Sequence, residues 1–169
     1  AVVYPFLVIA QIVPKIALAP LLLIWLGYGL WPKVLVAFLV AFFPLVVDTA
    51  AGLQSTDPEI VDFARALKMS KWAVLRKVRF PAALPFIFGG MKVAITLAVI
   101  GAIVAEFVAA NEGLGYLVLQ ANYSLDTAFA LVVLLILAVL SLGLFWLVEI
   151  VQRKIAPWSA EVRQVEGSF

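Results

Sequence analysis

The chain has 169 residues, of which 66% are hydrophobic and 13% are charged, and its formal net charge at pH 7 is +2. A mean hydropathy of +1.15 excludes an ordinary soluble globular domain and indicates an integral membrane protein. Because the sequence contains neither Cys nor His, disulfides, thiolate chemistry and the usual zinc or haem sites are excluded.

Four apolar stretches come near the roughly 20 helical residues that cross a bilayer core about 30 Å thick. Prolines and Lys15 interrupt the first stretch, so we expect it to be kinked or split near Pro14. The sequence opens inside an apolar run without Met, so we expect further helices ahead of residue 1. We therefore predict an all-α integral membrane protein with a single transmembrane domain, whose spans cover residues 5–30, 34–53, 82–110 and 128–151.

The distribution of basic residues predicts the orientation, because the side of the membrane with more Lys and Arg in its connections stays in the cytoplasm. Residues 54–81 hold six of the twelve basic residues, residues 152–169 hold three, and residues 111–127 hold none. We therefore expect a multi-pass protein of the cell membrane, with the 54–81 loop and the C-terminal tail in the cytoplasm and residues 111–127 outside.

The first half of the cytoplasmic loop has the signals of a short amphipathic helix. Asp57 can cap its start, and Pro58 suits its first position. Apolar residues then recur with the i, i+3, i+4, i+7 spacing of one helical face, at Ile60, Phe63, Ala64 and Leu67.

The second half of the loop begins at Ser70, which can cap another short helix. A residue before proline disfavours the helical conformation, so we expect this helix to end before Phe80 and Pro81. Two short helices with an apolar side and a basic side can fix topology and contact lipid headgroups. They can also dock a soluble partner, whose groove receives the apolar face.

Small residues follow one another at four-residue spacing in the span of residues 82–110. This spacing lets transmembrane helices approach closely, within one chain or between two copies. The residues are Gly90, Ala94, Ala98 and Ala102.

The ionisable side chains that we expect within the bilayer are Lys15, Asp48 and Glu106. Such residues are candidates for a transport pathway or gate, because charge is costly in hydrocarbon. Lys15 and Asp48 could pair if their helices pack, and Glu106 could instead be solvated near the outer interface. Glu149 precedes Arg153 by four residues, which is the spacing of an ordinary helical ion pair.

The cytoplasmic loop resembles the signature of permease subunits of bacterial ABC importers. In that signature Glu-Ala-Ala is followed after three residues by Gly and, nine further on, by Ile-x-Leu-Pro. Asp62, Phe63 and Ala64 occupy the triplet, and residues 78–81 (VRFP) occupy the last four positions. Lys68 replaces the glycine, which would favour a tight turn between the two short helices.

Further stretches resemble the nitrate, sulfonate and taurine type of this family, among them "FPAALPFIFGGMKVAI" and "AEFVAANEGLGYLVLQA". The resemblance implies a type I importer permease fold. It also implies that the loop is a coupling helix seated in a cleft of a cytoplasmic ATP-binding subunit. The residues that would carry this role are Glu59, Asp62, Phe63, Ala64, Leu67 and Lys68.

The same resemblance implies partners outside this chain. A second permease copy, expected to form a homodimer with this one, would complete the pathway, and an extracytoplasmic binding protein would deliver a small anion or a vitamin precursor. The sequence has no Gly-x-x-x-x-Gly-Lys-Ser/Thr loop, so we expect no enzyme activity and no cofactor in this chain, with ATP and Mg bound by the partner ATPase. We expect no nucleic acid partner.

Two other classes of function remain open from the residues. A secondary transporter or channel would work without an ATPase and would use an ionisable pair in the membrane, for which Lys15 and Asp48 are the candidates. A non-transporting membrane scaffold would use the basic loop only for lipids or assembly.

Overall fold

The computed structural model describes residues 14–27, 29–109 and 111–158. A 3₁₀ turn at Lys15–Leu18 leads into the first of seven α-helices in these ranges, and a π-helical turn at Leu75–Arg79 joins the fourth helix to the fifth. The helices are α1 (Ala19–Leu26), α2 (Leu30–Gln54), α3 (Pro58–Ala66), α4 (Lys71–Val74), α5 (Phe80–Ala109), α6 (Leu114–Tyr123) and α7 (Thr127–Ile155).

Three helical segments are long and apolar enough to cross a membrane, and they contain α2, α5 and α7. They overlap the stretches that the sequence predicts as spans, at residues 34–53, 82–110 and 128–151. The first predicted span is described only from Pro14 onward, where residues Lys15–Leu26 form a shorter apolar helix. Residues 1–13 lie outside the described part of the chain, so the expected kink of the first span near Pro14 stays a prediction on its N-terminal side.

The most extensive contact is between α2 and α5, and glycines allow their close approach. A Cβ atom at Gly90 would lie 2.9 Å from the Cβ of Asp48, and one at Gly101 would lie 3.0 Å from the Cα of Ala37. Gly90 and Ala94 of the small-residue stripe are buried, whereas Ala98 and Ala102 are half-buried. The first half of the stripe therefore serves packing within this chain.

The helix α7 packs along α5 and leaves an apolar face outward. Val133 and Leu137 are buried with Val118 of α6, and Val148 is buried with Phe88 of α5. The outer side of α7 exposes large apolar side chains, a surface that suits lipid in a helix of this length and composition. Among these side chains are Leu135, Val139, Leu142 and Trp146.

The second loop helix does not end before Phe80 and Pro81, as the sequence predicts. Instead α4 continues through the π turn directly into α5, and one helical segment runs from Lys71 to Val108. In the π turn the Phe80 N–H donates to the Leu75 carbonyl, five residues back. The prediction is wrong because this wider turn shifts the backbone carbonyls just ahead of Pro81, where a regular α-helix would meet the proline ring.

Candidate coupling surface and membrane cleft

The start of α3 is fixed by the residues that the sequence identifies as its cap. The Asp57 carboxylate accepts a hydrogen bond from the Glu59 N–H at 2.8 Å, and Pro58 occupies the first turn. One turn later, the Arg65 guanidinium contacts the Asp62 carboxylate at 2.9 Å on the exposed side of the helix. The structure therefore confirms the short helix that the sequence predicts here and its start at Pro58, after the cap at Asp57.

One side of α3 is packed onto α4. Val61 and Ala64 are buried together with Val74 of α4, and Met69 packs against the same cluster. Ser70 caps α4 as expected, since its hydroxyl accepts from the Ala73 N–H at 3.2 Å. Ala64 therefore points into this chain and not outward with the apolar residues that share its predicted face.

The other apolar side chains of α3 are exposed and form a surface that we call the apolar ridge, defined as Ile60, Phe63 and Leu67. Their exposed fractions are 52%, 67% and 62%. Large apolar side chains clustered on a short helix outside a membrane span are typical of a surface that binds another protein. Glu59 and Asp62 are exposed on the same helix and add acidic groups beside the ridge.

Lys68 ends α3 in the conformation that glycine favours. Its φ is +55°, in the left-handed region. The Lys68 N–H donates to the Arg65 carbonyl at 2.8 Å, and the Met69 N–H donates to the Ala64 carbonyl at 3.2 Å. This is the pair of bonds of a Schellman motif, completed by the contact of Met69 with the cluster around Ala64. The tight turn therefore forms with lysine in the glycine position, at a cost of about 1 kcal/mol in backbone strain.

Two of the ionisable residues that the sequence places in the membrane line one cleft. Its volume is about 490 Å³, and it lies between the Lys15–Leu18 turn, α2 and α5. Lys15 and Asp48 both contribute to its wall. The Lys15 ammonium also lies 4.4 Å from the centre of the Phe43 ring, a cation–π distance. The apolar part of the wall comes from Ile16, Val40, Pro44, Val47, Val93 and Leu97.

The wall of this cleft also contains a proline inside α2. Pro44 has no N–H, so the carbonyl of Val40 loses its partner in the helical ladder. Both residues line the cleft together with Asp48, one further turn along the same face. In a membrane, backbone groups of this kind are tolerated where they border a water-filled or protein-lined cavity.

Glu106 does not line this cleft but holds the start of α6. Its carboxylate accepts a hydrogen bond from the Gly115 N–H at 2.6 Å. A Cβ atom at Gly113 would collide with the same carboxylate, and the φ of Gly113 is +121°. An acid at a helix N-terminus is favourable because the first N–H groups lack helical partners. The contact of Glu106 with the start of α6 was not predicted from the sequence. The glycines of "EGLGYL" could have indicated it, because they leave room for the carboxylate.

A charged pair inside the membrane region was also missed. Lys92 of α5 is 5% exposed, and its ammonium pairs with the carboxylate of Glu149 in α7. Glu149 also contacts Arg153 at 3.3 Å, which confirms the predicted ion pair and makes it the second partner. A single lysine in the middle of a 30-residue apolar helix was the signal for this site. Lys92 must therefore be added to the intramembrane charges expected from the sequence.

The known proteins that this chain resembles are transport permeases. The family described as "Binding-protein-dependent transport system inner membrane component" matches residues 1–157. A riboflavin transport system permease protein from Chloroflexus aurantiacus is 39% identical over 92% of the chain and 58% of its own length. A formylaminopyrimidine transport permease protein from Halalkalibacterium halodurans is 36% identical over 92% of the chain and 62% of its own length.

A more distant relative extends the range of solutes named in the group. The taurine transport system permease protein of Escherichia coli is 31% identical over 94% of the chain and 58% of its own length. The chain thus spans about six-tenths of the length of the curated relatives it matches.

Proposed function

Because the chain belongs to the family of binding-protein-dependent transport system inner membrane components, we propose that it is part of the permease subunit of an ATP-driven importer. The observation that supports this proposal, apart from the family, is the apolar ridge of α3. Its side chains are exposed outside the membrane spans, where lipid would not cover them. A soluble ATPase that receives Ile60, Phe63 and Leu67 in a groove would remove these side chains from water. ATP and Mg are bound by that ATPase.

The structure offers a continuous route from the apolar ridge to the membrane cleft. Val61 and Ala64 attach α3 to Val74 of α4, which continues through the π turn into α5. Val93 and Leu97 of α5 line the cleft. When the ATPase closes on ATP and moves α3, this route shifts α5 against α2 and changes access to the cleft. The shift requires that the docked ridge has different contact free energies in the two states.

The proposed orientation places the basic loop and the C-terminus in the cytoplasm. Two spans, α5 and α7, follow α3, so the end of α7 returns to the side of α3, whereas α6 lies at the opposite end of α5. A solute-binding protein would then dock near α6, and a second copy of the permease would complete the cleft as a pathway. Relatives named for riboflavin, formylaminopyrimidine and taurine transport support a small organic solute, either a vitamin precursor or a sulfonate-like anion.

Vesicle transport tests this function. The full-length permease is reconstituted with its ATPase and its binding protein, and uptake of vitamin precursors, sulfonates and nitrate is measured with and without ATP. We expect uptake of one solute class that depends on ATP and on the binding protein. Reversal of charge in Asp62→Lys should uncouple hydrolysis from uptake or release the ATPase, because it places a cation beside the apolar ridge. Copurification and uptake at the normal rate in this variant would contradict the coupling role.

A secondary transporter is the second candidate, because Lys15 and Asp48 share one cleft. Ion-coupled transport would use such a pair to bind the driving ion or proton. Uptake that persists without nucleotide and follows an imposed ion gradient would favour this function. A complete absence of uptake, with all partners present, would favour a membrane scaffold.

A further inference from the structure

A second cavity lies ahead of α5, between α3, α4 and the π turn. Its volume is about 310 Å³. Arg65, Lys71 and Arg79 bring three basic side chains to its wall, and the described residues that line it include no acid. Val61, Met69, Val74 and Leu75 form the apolar remainder. The cavity is therefore shaped to receive a group that has a negative charge.

Arg79 has unused hydrogen-bonding capacity in this cavity. Its side chain is half-buried, and its Nε is fully buried without a hydrogen-bond partner among the described residues. Buried donors in native structures are normally satisfied, so the unpartnered Nε marks a guanidinium that would gain hydrogen bonds by turning toward an acceptor supplied from outside the chain. Arg65 differs, since it already contacts Asp62.

The position of Arg79 favours a lipid as the source of that acceptor. Arg79 immediately precedes Phe80, where the long apolar helix α5 begins. It therefore lies at the level of the headgroups, which form a layer several Å thick on each side of a hydrocarbon core about 30 Å thick. Lys71 is eight residues earlier, roughly 12 Å further out along the helix.

The apolar ridge points away from this cavity. On α3 the cavity wall is formed by Val61 and Arg65, whereas the ridge residues do not line it. On an ideal helix these two sets lie about 100° or more apart. An ATPase seated on the ridge would therefore leave the cavity uncovered.

We propose that this cavity binds the headgroup phosphate of an anionic phospholipid in the cytoplasmic leaflet, through Arg79 and Lys71. Phosphate oxygens accept charge-assisted hydrogen bonds from guanidinium and ammonium groups, and basic pockets beside membrane helices suit such headgroups. The bound phosphate would brace α3 against the π turn and so set the position of the apolar ridge. The proposal rests on the membrane placement of α5 and not on the transport function.

Lipid retention by the purified protein tests this site. The full-length permease, with its ATPase, is titrated with phosphatidylglycerol in detergent, and bound lipid is counted by native mass spectrometry. We expect Arg79→Gln and Lys71→Gln each to weaken the tightest lipid site by about tenfold, the effect of losing one charge-assisted hydrogen bond. Lys77→Gln is the matched control, because Lys77 is exposed on the same π turn, does not line the cavity and carries the same charge.

Other results would overturn the proposal. Equal weakening in all three variants would mean general attraction of an anionic lipid to a basic surface. Displacement of phosphatidylglycerol by millimolar inorganic phosphate would assign the site to a soluble phosphate. Unchanged lipid binding in Arg79→Gln, with loss of the ATPase, would assign the cavity to an acidic side chain of that partner. If Arg79→Gln fails the circular dichroism check of folding, Arg79→Lys and Lys71→Gln decide between the same outcomes.

Discussion

The apolar ridge and the membrane cleft each place side chains in surroundings that do not suit them. The ridge exposes Ile60, Phe63 and Leu67 outside the spans, where water would surround them. The cleft places Lys15 and Asp48 in a wall that is otherwise apolar. Each arrangement is costly for an isolated chain, because apolar area favours burial and charge favours water.

The difference between the two regions indicates what kind of partner suits each one. The ridge needs an apolar partner surface, which a soluble protein can provide. The cleft brings two charged side chains to its wall, and a transport pathway can place water or a polar solute beside them. Glu106 and the Lys92–Glu149 pair differ from the cleft residues, because they hold helices of this chain together and do not line the cleft.

The largest expected effect comes from removing the centre of the apolar ridge. Phe63→Ser should weaken binding of the ATPase by about a hundredfold, the scale of an aromatic hot-spot residue. The fold should be unaffected, because 67% of Phe63 is exposed. Copurification with the ATPase and the affinity of the complex measure the effect.

Phe63→Leu is the matched control, since it retains an apolar side chain at the same position. It should bind the ATPase within severalfold of the parent protein. If both variants bind the ATPase as tightly as the parent protein does, the ridge is not the docking surface. The exposed ridge would then give no reason to expect a partner protein.

Lys92 tests the distinction between structural and pathway charges. Lys92→Met leaves Glu149 without its buried partner and should lower the free energy of unfolding by about 2 kcal/mol. That value is below the usual cost of breaking a buried pair because Arg153 remains beside Glu149. Thermal unfolding in detergent measures the loss, and the double variant Lys92→Met, Glu149→Met should recover most of it. No recovery would mean that the two residues act independently.

Asp48 tests the cleft itself. Asp48→Asn removes the negative charge and should lower uptake about tenfold, a difference of about 1.4 kcal/mol in one step of transport. Binding of the ATPase should remain normal. Thr49→Val is the control: Thr49 donates to the Leu45 carbonyl at 2.7 Å and does not line the cleft, so uptake should stay near that of the parent. Equal losses in both variants would indicate damage to α2.

The smallest expected effect concerns the end of α3. Lys68→Gly should stabilise the loop by about 1 kcal/mol, because glycine adopts a positive φ without strain. Hydrogen exchange at the α3 amides measures this change. Arg76→Gly removes the same charge from a helical position and should destabilise by about 1 kcal/mol. If both variants change the stability of the loop in the same direction, the lost charge, and not the φ of residue 68, determines that stability.

Local signals made the loop largely predictable from the sequence. The caps at Asp57 and Ser70 and the apolar spacing of α3 depend on residues a few positions apart, and the structure confirms them. Spacing alone could not divide the apolar residues between an inner and an outer side. Ala64 turns inward because α4 packs there, a contact that depends on the turn at Lys68.

The membrane region was predictable in its spans and less so in its contacts. Long apolar runs identify α2, α5 and α7 whatever their neighbours. The pairing of Lys92 with Glu149 joins residues 57 positions apart, and no local pattern specifies it. The continuous helix through Pro81 likewise depends on a π turn, which proline signals alone do not reveal.

Protection of a thiol on the apolar ridge tests directly whether α3 is the coupling element that docks the ATPase. The 169 residues contain no Cys, so Ile60→Cys introduces the sole thiol of this stretch, and Tyr123→Cys does the same at an exposed position of α6. The rate of maleimide labelling is measured in the full-length permease with and without its ATPase. We expect the ATPase to slow labelling severalfold at position 60 and to leave the rate at position 123 unchanged. Equal rates at position 60 with and without the bound ATPase would contradict the assignment of α3 as the coupling element.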